Sequence, residues 1–391
     1  MRSQKYLSTS AMVAFITFMN MFIPLSTDMY LPALPEMGHY FMASNSLVSF
    51  SLTIFFFMFA VSMVLFGPLS DKYGRRPILL AGTAIYTLTS IVCALSPNIY
   101  VLILGRLFQG VGAGAVITVA TALIKDCFRG RLMTRILAVT QAASVIAPMA
   151  APLVGGFLLN FTSWRGAFIL LGLLGALNFA LSFLYSETLP PAKRYQGNVS
   201  SSLSLLWALG KQRHFMVILV MFSLLAAPYM AYLSVSSFVY IETFALNAQE
   251  YSYFFAVNSA AAVVGPIIYL RLRHAVSDTK ILWGCFMTAA GSALLVLFPG
   301  HWGAAFFLFA FLPFTISESL ARPFSMDLLL NEAKEHTGTA SSMINFVHTL
   351  FGSIGMMLGT LPWGDFIDGL GTIMLGSVVL AVCLWRSAGK L

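Results

Sequence analysis

Four ionisable residues lie within otherwise apolar stretches of this sequence, namely Asp28, Arg106, Glu318 and His348. Carboxyl and imidazole side chains bind and release protons, and histidine does so nearest to neutral pH. Arginine stays charged in proteins, so a buried arginine requires an acceptor for its hydrogen-bond donors. Because ionisable groups inside apolar helices are costly and often mark proton pathways, we predict that these four residues take part in proton coupling.

The surrounding chain is built to cross a membrane many times. It has 391 residues, of which 59% are hydrophobic and only 9% are charged, and a water-soluble protein has no need of such a composition. Twelve apolar stretches approach the ~20 residues that a helix needs to cross the hydrocarbon. We therefore predict an all-α membrane protein with twelve transmembrane helices in two six-helix halves. The first predicted span covers 10–34 and the tenth covers 303–324.

The positions of the basic residues predict the orientation of these helices. The formal net charge of +8 would suggest nucleic-acid binding in a soluble protein. Here every Lys and Arg except Arg106 and Arg165 falls on one side of the predicted helices, and this side is expected to be cytoplasmic. Both termini are thereby placed in the cytoplasm. The four cysteines are scattered without paired spacing, so we expect no disulfide framework and no metal site. We also expect no organic cofactor and no nucleic-acid partner.

A polar segment with two prolines and a serine run divides the predicted helices into two sets of six. We predict an N-terminal six-helix bundle over 1–186, a cytoplasmic linker over 187–213 and a C-terminal six-helix bundle over 214–391. Such halves are expected to be related by an axis along the membrane normal. Gly67-Pro68, predicted to end the second span, and Gly265-Pro266, late in the eighth, are a trace of this repeat.

Three short motifs carry a resemblance to a known family. The loop GPLSDKYGRRP resembles the pattern G-x-L-x-D-x-x-G-R-R, which follows the second span in the major facilitator superfamily. The matching residues are Gly67, Leu69, Asp71, Gly74, Arg75 and Arg76. Arg106, Gln109 and Gly110 fit the fourth-span motif R-x-x-Q-G. The fifth span is similar to the antiporter motif G-x-x-x-G-P-x-x-G-G, with Pro152, Gly155 and Gly156 in place and alanine at 147 and 151.

Further segments narrow the resemblance to one group of this superfamily. STDMYLPALP, ETLP, SSFVY and GTASS look like segments of the Bcr/CflA group of proton-coupled drug exporters. The resemblance implies the twelve-helix facilitator fold, a small-molecule substrate exchanged for protons and a location in the bacterial inner membrane. It also implies that Arg106 is involved in proton coupling and that Asp71 latches the halves at the cytoplasmic face.

Several roles remain open from the sequence alone. Asp28 and Arg106 fall at comparable depth, so we predict that they are neighbours across a central cavity. The alternatives are an interfacial Asp28 that caps its helix and a fixed structural pair for Arg106. Glu318 is either an i, i+4 partner of Arg322 near the cytoplasmic helix end, a second proton carrier or a contact for cationic substrates. His348 is either a neutral hydrogen-bonded group between helices or a titrating one.

Polar and aromatic residues in the spans are predicted to bind the substrate, and ordinary helix packing is the alternative for them. The predicted set is Asp28, Tyr30, Gln109, Tyr229, Tyr232, Phe238, Asn258, Asn345 and His348. Small residues at Gly352, Gly355 and Gly359 predict a close helix contact that mirrors the fifth span.

These observations predict a secondary transporter. We expect it to export small lipophilic compounds in exchange for protons by alternating access, powered by the proton gradient, and to work as a monomer surrounded by lipid. The alternatives are a dedicated carrier of one metabolite or siderophore, and a membrane sensor on the same fold that does not transport.

Overall fold

The computed structural model describes residues 7–197, 199–333 and 337–387. Every regular element in these ranges is a helix. Twelve helical segments of the described chain are long and apolar enough to cross a membrane. The all-α membrane fold predicted from the apolar stretches is therefore confirmed.

The first compact unit comprises the described residues up to Phe41 together with Ile54–Leu203. Its helices are α1 (Thr9–Asp28), α2 (Leu34–Phe41), most of α3 (Asn45–Tyr73), α4 (Arg75–Ala94), α5 (Ile99–Cys127), α6 (Gly130–Leu159) and α7 (Arg165–Leu184). Helix α4 packs against α5 and α7, and α1 packs against α6 and α5.

The second compact unit comprises Met42–Thr53, which holds the start of α3, and the described part of Ser204–Leu391. Helix α8 (Val199–Gly210) leads into it. Its other helices are α9 (Arg213–Phe238), α10 (Ala248–Ala261), α11 (Val264–Leu272), α12 (Asp278–Leu297), α13 (Ala304–Glu332), α14 (Thr337–Gly359) and α15 (Phe366–Ser387). Helix α9 packs against α14 and α15, and α13 packs against α9, α11 and α12.

Prolines interrupt two of the spans. Proline has no N–H to donate to the carbonyl four residues earlier, and for Pro32 that carbonyl belongs to Asp28, where α1 ends. A 3₁₀ turn, Leu31–Ala33, then connects α1 to α2, so the first span is broken at Asp28 rather than continuous over 10–34. Pro266 in the same way lacks a donor for Ala262, and the eighth span breaks between α10 and α11.

Two helix ends lie beyond the predicted positions. Helix α3 continues through Gly67-Pro68 to Tyr73, and Ser70 Oγ donates to the Gly67 carbonyl at 2.9 Å, so the proline does not end the second span as predicted. Helix α13 continues to Glu332 instead of ending at 324. Glu318 is thus the middle residue of a 29-residue helix and does not lie near the cytoplasmic end, which corrects the prediction.

In each unit, a glycine allows a very close approach between two helices. In the first unit, a Cβ added to Gly155 of α6 would lie 1.8 Å from the Met29 carbonyl oxygen, just after α1. In the second unit, a Cβ added to Gly355 of α14 would lie 2.0 Å from the Ala227 carbonyl oxygen of α9. Only glycine permits such contacts, which join the fifth span to the first and the eleventh to the seventh.

Candidate functional site

Asp28 is the last residue of α1 and lies beside the break in the first span. Its side chain is buried, with 5% of the residue exposed. The Thr27 hydroxyl donates to Asp28 Oδ1 at 2.8 Å. An ionised carboxylate at this position would face the negative end of the helix dipole, so the position does not stabilise the charge by itself.

Arg106 lies two turns inside α5 and is completely buried. Its Nη1 donates to the Ser26 carbonyl oxygen at 3.0 Å and to Gln109 Oε1 at 2.5 Å. Its Nε and Nη2 have no hydrogen-bond partner. The guanidinium carbon lies 4.2 Å from the ring centre of Phe55 and 4.6 Å from that of Tyr30, both within the range of cation–π attraction.

In this structure Asp28 and Arg106 each have their own hydrogen-bond partners, and that they are neighbours across a central cavity stays a prediction. Arg106 does reach the same turn of α1, through the Ser26 carbonyl. Carbonyl groups in the last turn of a helix lack intrahelical donors and carry the negative end of the dipole. Together with the aromatic faces, they stabilise the guanidinium without a carboxylate.

A hydrogen-bond network fixes Gln109 and extends the Arg106 site to α4. Gln109 Nε2 donates to Ser90 Oγ at 2.7 Å, and Ser90 Oγ donates to the Tyr86 carbonyl at 2.7 Å. The Tyr86 hydroxyl is hydrogen-bonded to the hydroxyl of Ser26. Sequence reasoning missed Tyr86 and Ser90, although two hydroxyl side chains four residues apart in an apolar span were a usable signal.

Tyr30, which was predicted to bind the substrate, lies beside the Arg106 guanidinium. It is fully buried, and its ring lies 5.3 Å from that of Phe168, which is itself 5.9 Å from the Arg106 guanidinium. Aromatic side chains from α3, from α7 and from the break after α1 therefore surround the guanidinium. We call Asp28, Arg106, Gln109 and Tyr30 the Arg106 site.

The second unit brings Glu318 and His348 together. His348 Nε2 lies 3.3 Å from Glu318 Oε1, and both side chains are buried. Arg322 is exposed, so the i, i+4 pair with Glu318 that the sequence suggested is wrong for this structure. Of the two interpretations of His348, the contact between helices is confirmed, while its titration stays a prediction.

The two predicted amide side chains of the second unit are hydrogen-bonded to groups other than this pair. Thr315 Oγ1 donates to Asn258 Oδ1 at 2.7 Å, which joins α13 to α10. Asn345 Nδ2 donates to the Ser341 carbonyl at 3.0 Å within α14. Neither amide shares a hydrogen bond with Glu318 or His348, so both remain candidate substrate contacts only by their position in the spans.

The aromatic residues predicted on the seventh span differ in their surroundings. Tyr232 is buried and stacks on Phe311 with 4.1 Å between the ring centres. Phe238 is buried with its ring 5.9 Å from that of Phe366. Tyr229 is partly exposed. The structure thus favours the packing interpretation for Tyr232 and Phe238, and it leaves Tyr229 accessible.

The loop motif forms an ion-pair cluster at the junction of α3 and α4. Arg75 pairs with Asp71 at 2.5 Å and with Asp126 at 3.0 Å. The carboxylate of Glu187 accepts from the backbone N–H groups of Arg75 and Arg76 at 3.1 and 3.0 Å. It thereby caps the start of α4, where unpaired N–H groups attract an anion.

Gly74 permits this cap because its φ is +106° and a Cβ there would lie 2.5 Å from Glu187 Oε2. The side chain of Arg76 donates to the Phe183 carbonyl at 2.9 Å. Burial raises the pKa of Tyr185 well above its usual value, so its hydroxyl stays protonated in its contact with Thr188.

The remaining motif residues lie within helices. Gly67 is in α3, where an added Cβ would lie 3.9 Å from Thr118. Pro152 and Gly156 are buried in α6, on either side of the close contact at Gly155. Among the described residues, no group of three or more His, Cys, Asp or Glu side chains could hold a metal ion.

Comparisons with known proteins agree on one family. The family model described as Major Facilitator Superfamily matches residues 12–356. The chain is 32% identical over 336 residues to the uncharacterized MFS-type transporter YdgK of Bacillus subtilis (strain 168), covering 85% of this chain and 84% of the relative. It is 27% identical over 381 residues to the bicyclomycin resistance protein homolog of Haemophilus influenzae, covering 92% and 90%.

A third relative and a solved structure extend these similarities. The multidrug transporter MdfA of Yersinia pestis bv. Antiqua (strain Angola) is 27% identical over 355 residues, with 87% of this chain and 85% of the relative covered. A bacterial homolog of the human lysosomal transporter Spinster, crystallised in an inward-facing and unoccupied conformation, superimposes with a TM-score of 0.75. That match covers 99% of this chain and 97% of the other at 14% identity, so it shows a shared fold.

Proposed function

The chain belongs to the Major Facilitator Superfamily, and from this premise we propose that it exports small lipophilic compounds in exchange for protons by alternating access. Family membership makes it a multi-pass membrane transporter rather than an enzyme. The direction of transport, the exchange for protons and the substrate class belong to the proposal.

Two observations support export of lipophilic compounds. Relatives carry the names bicyclomycin resistance protein homolog and multidrug transporter, which refer to compounds harmful to the cell. The spans of this chain offer few charges and many aromatic side chains, a lining better suited to apolar molecules than to one highly polar metabolite. The proposed location is the bacterial inner membrane, with both termini in the cytoplasm and a single chain as the working unit.

The observation that carries the proton step is the arrangement of the Arg106 site. Asp28 is buried at a helix C-terminus, where an added proton removes an unfavourable charge. Arg106 has two donor nitrogens without an acceptor and already contacts the turn of α1 that ends in Asp28. When Asp28 loses its proton, its carboxylate becomes a charged acceptor for these donors. When Asp28 is protonated, it no longer offers this charged acceptor, so the two protonation states present different groups to a substrate.

Exchange follows if the proton and the substrate favour different states of this site. A ligand shifts a conformational equilibrium only by the difference in its affinity for the two states. In the proposed cycle, the substrate leaves as Asp28 is protonated from the outside, and the proton leaves toward the cytoplasm before the next substrate binds. No cofactor is required, because the proton gradient supplies the free energy.

Asp28→Asn is the variant that tests this assignment. In everted membrane vesicles with an imposed proton gradient, addition of chloramphenicol, ethidium or norfloxacin to the wild type should dissipate the gradient for at least one probe. Asp28→Asn should abolish this dissipation, because asparagine cannot bind or release the proton.

Glu36→Gln provides the matched control. Glu36 is an exposed acid of the same first span, and it accepts from the Trp164 N–H at 3.4 Å. Its neutral variant should retain coupling. Coupling that persists in Asp28→Asn would reject Asp28 as the carrier, and a wild type that responds to none of these probes would contradict the substrate class.

A further inference from the structure

Glu318 and His348 are each at the centre of a membrane-spanning helix. Glu318 is the middle residue of α13, and His348 is the middle residue of the 23-residue α14. Their side chains are 7% and 11% exposed, and 3.3 Å separates Oε1 of the acid from Nε2 of the imidazole. A pair of titratable groups is thus buried where the middle parts of two membrane-spanning helices meet, entirely within the second unit.

Helix packing does not account for Glu318. Hydroxyl groups beside it on α13 have other partners, since Thr315 donates to Asn258 and Ser317 Oγ donates to the Cys285 carbonyl at 2.9 Å. Among the described residues, the only side chain that is hydrogen-bonded to Glu318 or forms an ion pair with it is His348. A buried acid whose partner is itself titratable is expected at a proton site more than at a packing contact.

The charges around the pair leave it without permanent compensation. Arg322 acts on His348 electrostatically, but its side chain is exposed. Between the helix ends, the ionisable side chains of α9 and α12 are Tyr229, Tyr232 and Cys285. The other ionisable groups on the helices of this unit lie toward the ends of the spans, namely Arg213, His214, Glu250, Tyr251, Tyr253, Tyr269, Arg271, Asp278, Lys280, Asp327, Glu332, Asp368, Cys383 and Arg386.

The number of protons on the pair decides its net charge. Without a proton to share, the pair is a buried anion, and with one proton it is neutral whichever residue carries that proton. The single bound proton belongs to the pair and not to one residue. One proton therefore removes the cost of a net charge in the hydrocarbon.

We propose that Glu318 and His348 form a second proton-binding site, which takes up and releases one proton in each transport cycle in addition to the proton on Asp28. This inference rests on the proposed exchange function. It implies that two protons enter for each substrate molecule that leaves. Export of a monovalent cation then moves one net positive charge inward, so the membrane potential itself drives the exchange.

Histidine NMR tests proton binding without any substrate. The chain has six histidines, so the ¹⁵N imidazole signals of the purified protein in detergent are few, and His348→Gln identifies the signal of interest. Between about pH 5 and 9, the His348 signal should change with pH, and Glu318→Gln should alter the pH at which it does so.

Glu332→Gln is the matched control for this measurement. His214 Nδ1 lies 2.9 Å from Glu332 Oε1, so it is a pair of the same residue types, but it is partly exposed at helix ends. The control should change only the His214 signal. A His348 signal that is constant over this range, or that responds to pH equally in wild type and Glu318→Gln, would overturn the proposal.

Ethidium exchange in proteoliposomes tests the number of protons. With equal pH on both sides and a potassium diffusion potential of about 100 mV, the wild type should build an ethidium gradient approaching 45-fold. Glu318→Gln should exchange one proton for one dye cation, an electrically neutral process that responds to a pH gradient but not to the potential. Unchanged potential-driven exchange in Glu318→Gln would contradict the second site.

The two measurements distinguish failure of the proposed proton site from failure of the proposed exchange function. If the wild type moves no ethidium under either gradient, exchange of this cation fails, and the histidine titration still decides whether the pair binds a proton. If Glu318→Gln loses all exchange, the titration likewise decides between a proton site and a structural contact.

Discussion

The guanidinium of Arg106 is held by contacts at its edge and on its faces. It is completely buried, and its hydrogen-bond acceptors are a backbone carbonyl and an amide oxygen instead of a carboxylate. Two aromatic rings lie within 5 Å of it. A planar, delocalised cation suits this environment because it donates at its edge and stacks on its faces at the same time.

Arg106→Lys should lower the rate of proton-coupled exchange at least about tenfold, because an ammonium keeps the charge but loses the planar stacking and the fork of donors. The initial rate of probe-induced proton release in everted vesicles measures this effect. Arg165→Lys is the matched control, since Arg165 stacks on Trp164 at 4.3 Å and donates to the Ser96 carbonyl, outside the Arg106 site. Equal rates in the two variants would contradict a role for the arginine geometry.

The residues of the two sites were predictable, but most of their contacts were not. Asp28, Arg106 and Glu318 are conspicuous because ionisable groups are rare in apolar stretches. The acceptor of Arg106 is a main-chain carbonyl, which has no signature in the sequence. The Glu318–His348 contact depends on the rotation of two helices about their axes, and a run of apolar residues does not specify that rotation.

At the level of the helices, glycines set the distance between the paired spans. Gly155 brings α6 against the backbone next to Asp28, and Gly355 brings α14 against α9 in the second unit. Without a hydrophobic effect between helices in lipid, such close van der Waals contact is a principal source of helix association. The fifth span therefore supports the proton site by fixing the end of α1.

Gly155→Ala should destabilise the protein by about 1–3 kcal/mol, because its Cβ would overlap the Met29 carbonyl and force α6 away from α1. A lower thermal unfolding temperature of the detergent-solubilised protein would show this, together with reduced exchange. Gly284→Ala is the control, since no atom lies within 4 Å of a Cβ at that position of α12. Similar unfolding temperatures for the two variants would argue against overlap of the added Cβ with the Met29 carbonyl.

The sequence predicted the helices better than their interruptions and ends. Pro32 and Pro266 were visible, yet a proline can either break a helix or be tolerated within it, as Pro68 is in α3. The extension of α13 to Glu332 lies in a stretch that mixes polar and apolar residues. Hydropathy marks the part of a helix inside hydrocarbon and not the part that continues beyond it.

For the whole molecule, the proton gradient limits how far a substrate can be concentrated. One charge crossing ~100 mV supplies ~2.3 kcal/mol, which corresponds to roughly 45-fold. A neutral substrate exchanged for one proton would reach that ratio, and two protons would extend it to about 2,000-fold. The number of working proton sites is therefore measurable as an equilibrium ratio.

In proteoliposomes with ~100 mV and no pH gradient, the steady-state ratio of chloramphenicol should exceed ~45-fold in the wild type if both sites work. Glu318→Gln should lower it to at most that value. A protonophore should collapse both ratios to one, because the gradient is the only energy source. A ratio that survives the protonophore would refute proton coupling at the level of the whole transporter.

The sequence predicted the twelve helices and the family. The grouping of the helices into compact units depends instead on contacts between them. The boundaries at 186 and 213 stay a prediction, and Met42–Thr53 groups with the residues from Ser204 onward. Hydropathy gives the order of helices along the chain, but it carries no information on contacts between helices that are distant in sequence.

The enclosure of Arg106 also has a consequence for biosynthesis. Its acceptor at Ser26 and the ring of Phe55 are made before α5, but the ring of Phe168 belongs to α7, which the ribosome synthesises later. A lone arginine in lipid is unfavourable until these groups surround it. We therefore expect α5 to be more stable in the bilayer once α7 has packed beside it than before.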